Sequence, residues 1–443
     1  MQNKKSNNQQ KQFLCEGLSE MLNPQDALYQ LAHAIDWDKL EKDFSDYYVN
    51  FGRPAKPTRL MISLLLLKQM FNKGDETVVE EWIRNPYWQY LSGFDTFQWK
   101  FPCEPSDLVH FRNRIGKEGI KQIFEISVNL HGEKAITESE VVIDTTVQEK
   151  NISYPTDTNL YRKISQECVK IADREDVKLR RSYVRTIPKL VFSQRGRSRP
   201  KTHKKAVKAT KKLKTIAGRL VRELHRKLPE EILNKYIEKL DIFQRVLDQK
   251  RSDKNKVYSL HEPDVYCMSK GKAHKKYEYG SKVSIAITKS SGIIVSAMNF
   301  ETNVFDGKTL PAVLEDIKSV TGMVPKVAIV DQGYRGKKRI DDTEIISADK
   351  LKKKLSTYQK RKTKKRLRRR AAIEPIIGHL KSDFRLAVNY LKGVIGDHLN
   401  VLLASAAFNI KKWMRKAASL ILSILRFRYL RIFKVILTPI LTF

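Results

Sequence analysis

Several things are scarce in this chain. Only four cysteines occur in 443 residues, at Cys15, Cys103, Cys168 and Cys267, and no two form a C-x-x-C pair. Neither a disulfide framework nor a zinc cage is indicated, and a reducing compartment fits best. The nine histidines show neither H-E-x-x-H nor H-x-x-x-H spacing, which removes the usual histidine metal motifs. The N-terminus, Met1 to Gln12, is polar and lacks the apolar segment of a signal peptide. The apolar tail after Ser419 is interrupted by Arg426, Arg428, Arg431 and Lys434, so no uncharged stretch there reaches the roughly 20 residues of a spanning helix. That tail reads as a basic amphipathic helix that packs on the body or binds a partner. A membrane-surface contact is the lesser alternative. Acids are also short: 49 Asp and Glu stand against 85 Lys and Arg, a formal net charge of +36.

What is present begins with that charge. An excess of this size costs self-repulsion and is usual in proteins that neutralise phosphates, so a polyanion is the expected partner. The excess is clustered. Arg195 to Lys227 holds 14 Lys or Arg and one acid, Glu223, and Lys350 to Arg370 holds 13 Lys or Arg and no acid. A solvated charged face would intersperse acids, so both blocks are read as backbone-binding surfaces that carry no base-reading information. Lys204, Lys205, Lys211 and Lys212 are the candidate contacts in the first block.

Hydrophobic residues make up 41% of the chain, enough for a sizeable core and two or three domains. Residues 1–44 read as a polar arm with a short helix, and 45–130 as a helical block. Within that block an aromatic cluster (Tyr87, Trp88, Tyr90, Phe94, Phe97, Trp99) precedes a helix starting at Ser106. Core packing is the preferred reading for the tryptophans, and Arg112 and Arg114 are candidate phosphate contacts. From 138 to 415 strands alternate with helices, an α/β pattern. The strands are 141–148, a hairpin of 280–288 and 292–300, and 326–330, with one more short strand at 344–347. A basic, mainly helical insertion, about 160–256, follows the first strand. Residues 416–443 form the apolar, basic tail.

Two apolar runs lead directly into aspartates: Val141-Val142-Ile143-Asp144 and Val327-Ala328-Ile329-Val330-Asp331. If these strands are neighbours, the two carboxylates converge at the sheet edge where α/β proteins place their sites. They would repel unless a cation is bound, and oxygen donors point to Mg²⁺ or Mn²⁺. A later glutamate, Glu374, could complete a pair of metal ions suited to phosphoryl transfer. Arg370, Glu374 and Lys381 are spaced by four and seven. Pro375 implies either a kink at Glu374 or a helix beginning there, in which case only Glu374 and Lys381 share that helix. Lys381 would hold a phosphate. Asp157 is a further, weaker candidate ligand.

These passages resemble the DDE transposases of bacterial insertion sequences, in particular the insertion-sequence-five family. The matching residues are Ile143 to Val147, Tyr277-Glu278-Tyr279-Gly280, Asp331-Gln332-Gly333-Tyr334-Arg335-Gly336, and Arg370 through Glu374 to Lys381. The last fits an R-x3-E-x6-K signature, although Leu367 stands where the fuller signature has tyrosine. The resemblance implies an RNase H-like catalytic domain, with Asp144, Asp331 and Glu374 as catalytic residues binding two Mg²⁺ ions. It implies cutting at transposon ends, then attack of the freed 3′-hydroxyl on target DNA. The implied partners are double-stranded DNA (terminal inverted repeats and target) and a second copy, in a dimer or larger synaptic complex, with no small-molecule substrate. Arg335, Arg370 and Lys381 join the expected DNA contacts, and a cytoplasmic, nucleoid-associated protein is expected. Two alternatives stay open: an inactive DNA-binding derivative, and an RNase H-like nuclease without strand transfer.

Overall fold

The structure is a computed structural model that describes residues 17–49, 51–269, 275–334, 338–347 and 356–437, with side chains described as far as 417 except at 359, 360, 362 and 363. The N-terminal part is helical: α1 (Leu18–Met21), α2 (Ala27–Ala34), α3 (Trp37–Asp43), α4 (Thr58–Met70), α5 (Asp75–Arg84), α6 (Pro86–Leu91), α7 (Pro105–Asn129) and α8 (Glu133–Ile136). Local chemistry sets these boundaries. Asp26 and Asp36 accept from the backbone N–H of Leu28 and Lys39, so the expected single early helix is split in two. Asn85 caps α6, with Pro86 in the first helical position. α7 begins one residue before Ser106, on a reciprocal capping box between Glu104 and Asp107. α4 is apolar nearly all round and is correspondingly buried along its whole length after Arg59.

The basic insertion contains α9 (Asp157–Arg174), α10 (Thr186–Gln194), α11 (Pro200–Lys227) and α12 (Glu230–Asp248). α11 is strongly amphipathic. Leu213, Ile216, Leu220, Val221 and Leu224 face inward, and Lys204, Lys205, Lys211 and Lys212 are exposed. The helices of the insertion close a core of their own, from Leu160 to Val257.

Among the described residues eight strands form one sheet: β1 (Glu140–Lys150), β2 (Tyr266–Ser269), β3 (Tyr277–Thr288), β4 (Ile294–Phe300), β5 (Val327–Val330), β6 (Arg339–Ile340), β7 (Thr343–Ser347) and β8 (Val388–Asn389). β1 is central. It runs antiparallel to β3 on one edge and parallel to β5 on the other, and β5 continues in parallel to β7. β4 and β2 share the far edge of β3. Val327 to Val330 are all buried, as a parallel strand covered on both faces requires. Gly280 permits the tight β1–β3 pairing, because a Cβ there would lie 1.8 Å from the carbonyl oxygen of Gln148.

The remaining helices are α13 (Asp306–Thr321), α14 (Thr357–Arg370), α15 (Ile373–Ser382) and α16 (Gly393–Leu437). α16 packs on α4, α7 and β4, and one core joins the N-terminal helices, the sheet and α16. The segment Gly393–Ala417 is long and apolar enough to cross a membrane, but it is mostly buried inside the protein as this core helix. The helix runs on through the tail to Leu437, so the expected tail helix is a continuation of α16.

Candidate active site

β1 and β5 align Val141 with Ala328 and Val142 with Ile329. Continued by two residues, this register sets Asp144 opposite Asp331 across adjacent parallel strands. Asp331 stands immediately beyond the end of β5, at the carboxyl edge of the sheet. Asp144 lies inside its strand, which the expected span of 141–148 already carried past it: β1 continues to Lys150, because β3 pairs with it as far as Glu149. On the other edge β5 stops at Val330, and β8 pairs with β1 only at Glu149 and Lys150. Asp144 therefore faces the interval between two short partner strands.

α14 and α15 bring the third carboxylate. α14 ends at Arg370 and α15 begins at Ile373, with Pro375 in its first turn. Of the two readings of Pro375, the second holds: a helix begins there, and Glu374 and Lys381 lie on it while Arg370 ends the preceding one. α14 is clamped over the parallel strands by Arg366, whose guanidinium lies 3.1 Å from Glu140 of β1. Lys289 holds the same carboxylate at 2.8 Å. Burial alone would raise the Glu140 pKa, but these two hydrogen bonds hold it below the ordinary glutamate range.

Arg370 spans the site. Its Nη1 lies 3.6 Å from Asp331 Oδ1, and its Nη2 donates to Glu374 Oε1 at 3.1 Å. Among the described residues, no three His, Cys, Asp or Glu side chains are gathered closely enough to hold a metal ion. A guanidinium, not a third carboxylate, bridges Asp331 and Glu374 in this arrangement. The donor set itself, two aspartates and a glutamate with only oxygen ligands, suits a hard divalent cation. Glu374 and Asp331 are about half exposed and lie on the ends of elements, so their side chains have room to converge.

A fourth carboxylate lies beside the pair and was not found by sequence reasoning. Asp306, first residue of α13, accepts from Thr145 Oγ1 at 3.0 Å and from Lys282 Nζ at 2.9 Å. It packs against Gly333, where a Cβ would come within 2.9 Å of its Oδ2. Asp306 thus ties the residue after Asp144 to the turn that follows Asp331. Tyr334 closes that turn from inside. Burial, with the charges of Asp144 and Asp306, pushes its phenol well above the usual tyrosine range, so it stays neutral. An acid at a helix start is ordinarily a dipole partner, and nothing in the local sequence distinguishes Asp306 from that.

The other expected site residues are distributed as follows. Arg112 is a correction. It is buried, with its guanidinium donating to both carboxylate oxygens of Asp75 at 2.9 and 2.7 Å, and so has no face for a phosphate. Its neighbour Arg114 is exposed and lies over the Tyr48 ring at 4.9 Å. Lys204, Lys205, Lys211 and Lys212 sit on the outer face of α11, remote in sequence from the carboxylates. Lys381 lies in the last turn of α15, half-buried. Arg335 lies outside the described residues. Asp157 occupies the first turn of α9 beyond the Thr156 cap, where an acid complements the helix N-terminus. Trp37, Trp82 and Trp88 are core residues, whereas Trp99 is 82% exposed. Cys103 and Cys168 are free thiols whose pKa burial pushes up to about 12, so both are inert.

Comparison with known proteins decides the family. Residues 16–114 match the family described as Transposase domain (DUF772), and residues 245–410 match the Transposase DDE domain. The chain belongs to the DDE transposases. Its DDE domain carries with it an RNase H-like fold and the use of divalent metal ions, and its substrate is DNA. The transposase is also 40% identical over 172 residues to an uncharacterized protein, ORF8 in the nfe locus of Rhizobium meliloti, a match covering 38% of this chain and 83% of the relative. No solved structure matches it. Asp331 and Glu374 fall inside the DDE match and Asp144 outside it. The match begins within α12, so β1 is separated from it in sequence by the insertion and rejoins it only in the sheet.

Proposed function

We propose that this transposase cuts insertion-sequence ends and joins the freed 3′-hydroxyl to target DNA, with Asp144, Asp331 and Glu374 as its catalytic carboxylates. The observation that supports the reading is the register of β1 and β5, which sets Asp144, within β1, beside Asp331, just past the end of β5, next to the helix bearing Glu374. These three residues would hold two Mg²⁺ or Mn²⁺ ions, which when bound supply Lewis-acid stabilisation of the attacking and leaving oxygens. Asp306 and Thr145 hold the two aspartate-bearing segments together. Arg370, which contacts Asp331 and Glu374, and Lys381, two turns further along α15, take phosphate oxygens, and Arg335 follows the same turn in sequence. Lys204, Lys205, Lys211 and Lys212 hold DNA along the insertion. Residues 45–130, through Arg114, read the terminal inverted repeats. Two ends must meet, so a dimer or larger synaptic complex acts, in the cytoplasm on nucleoid DNA.

The test incubates the protein and an Asp331→Ala variant with Mg²⁺ and labelled DNA ending in the element's inverted repeat. Cutting and joining by the parent, with neither by the variant, is expected. Cutting without joining would replace the reading with a nuclease, and tight binding without cutting by either protein would replace it with a DNA-binding derivative.

A further inference from the structure

A cleft of about 610 Å³ opens in the insertion between α9 and α10. Its floor is apolar, with Val169 and Ile187 among its residues. Its rim carries two large apolar side chains that the described residues leave exposed: Phe192 is 71% exposed and Val184 61%. Two arginines line the same space. Arg195 lies over the Phe192 ring at 5.9 Å. Arg162 comes from α9, and its Nε is buried with no hydrogen-bond partner among the described residues. Among the described residues no Asp or Glu lines the cleft, and its third cation, Lys170, is already paired with Glu167.

This combination specifies a ligand. A half-buried guanidinium without a carboxylate bears a desolvation cost that an anion would offset. An exposed phenyl ring beside it offers a flat apolar surface. An unpaired nucleotide meets both demands, because its base presents a face for stacking and its phosphate an anion. A base within a duplex presents only its edges. α9 and α10 pack on α11, so the cleft belongs to the same helical unit as the exposed lysines Lys204 to Lys212. We infer that the cleft between α9 and α10 binds an unstacked nucleotide of a single-stranded DNA stretch, its base on Phe192 and its phosphate on Arg162 and Arg195. The inference rests on the DNA-handling role proposed for the insertion and gives it a specific ligand.

The experiment measures full-chain binding, without divalent metal, to a blunt duplex and to the same duplex carrying a short single-stranded overhang with 2-aminopurine. The overhang should tighten binding, and the fluorescence of its 2-aminopurine should fall as the base stacks on Phe192. Phe192→Ala and Arg162→Gln should each weaken overhang binding by roughly tenfold, leaving blunt-duplex affinity unchanged, while Phe192→Tyr retains the preference. The unchanged blunt affinity also reports that the variants fold. Equal losses on both DNAs, or no preference for the overhang, would overturn the inference. So would equal affinities accompanied by loss of self-association in Phe192→Ala, which would assign the cleft to a second copy of the chain. If neither DNA binds the parent, the DNA-handling role fails with it; if blunt DNA binds and the overhang adds nothing, only the nucleotide site fails.

Discussion

At the scale of single residues, two arginines that look alike in the sequence do opposite things. Arg112 is an interior strut. Asp75 lies between Arg112 and Lys68, at 2.7 Å from each. Burial alone would raise the Asp75 pKa, but the hydrogen bonds from Arg112 and then the charge of Lys68 hold it down to about 2. Burial and the neighbouring guanidinium push Lys68 down to about 8, so its own pairing with Asp75 does not fully offset its cost, and the bidentate Arg112 is the partner that secures the carboxylate. Because the folded pKa lies below the unfolded value of about 3.9, this contribution is present above pH 4 and is lost as pH falls towards 2. Asp75→Asn should lower stability by about 3 kcal/mol at neutral pH, because it leaves buried cations uncompensated, and should flatten the acid limb of a urea-denaturation series. Arg370, by contrast, lies between Asp331 and Glu374, where under the proposed reading it would compete with metal for both carboxylates. Arg370→Ala should tighten Mn²⁺ binding, read by electron paramagnetic resonance, by on the order of fivefold, while weakening binding of DNA ends.

Among elements, the strands that carry the site were legible and the ones that frame it were not. Val141 to Asp144 and Val327 to Asp331 stand out because parallel strands buried on both faces must be apolar throughout, and the hairpin of β3 and β4 is marked by Ser291-Gly292 at its turn. β6 and β8, two residues each, exist only through their partners and leave no periodic signal. The same limit hid Asp306 and the burial of Arg112, since both depend on tertiary neighbours distant in sequence. It also hid what seats α16. Lys150, at the end of β1, is 3% exposed and lies 2.9 Å from Asp397 and 3.4 Å from Glu262, and it donates to the carbonyls of Leu391 and Gly393. Gln148 and Asn400 extend this network to Gln69 of α4. Lys150→Met would strand two buried carboxylates, and thermal unfolding should report a loss of about 3–5 kcal/mol.

For the whole molecule, the charge of +36 is spent mostly outside the two cores, on surfaces such as the outer face of α11. DNA affinity should therefore fall steeply with salt. Replacing Lys204, Lys205, Lys211 and Lys212 together by Gln should reduce the slope of log K against log salt by roughly 3–4, with no change in sequence preference, as filter binding across a salt series would show.

The core shared by the N-terminal helices and α16 has a consequence for how the protein is made. Gln69 of α4 donates to the carbonyl of Phe384 and to Asn400, and His131 and Ser127, at the end of α7, meet Asn409. The faces of α4 and α7 that meet α16 are therefore covered only once the last helix is made. A chain that stops before α16 should therefore be protease-sensitive, and truncated copies of the element should yield no stable fragment able to occupy DNA ends and block the intact enzyme, as limited proteolysis of a chain ending before Gly393 would show.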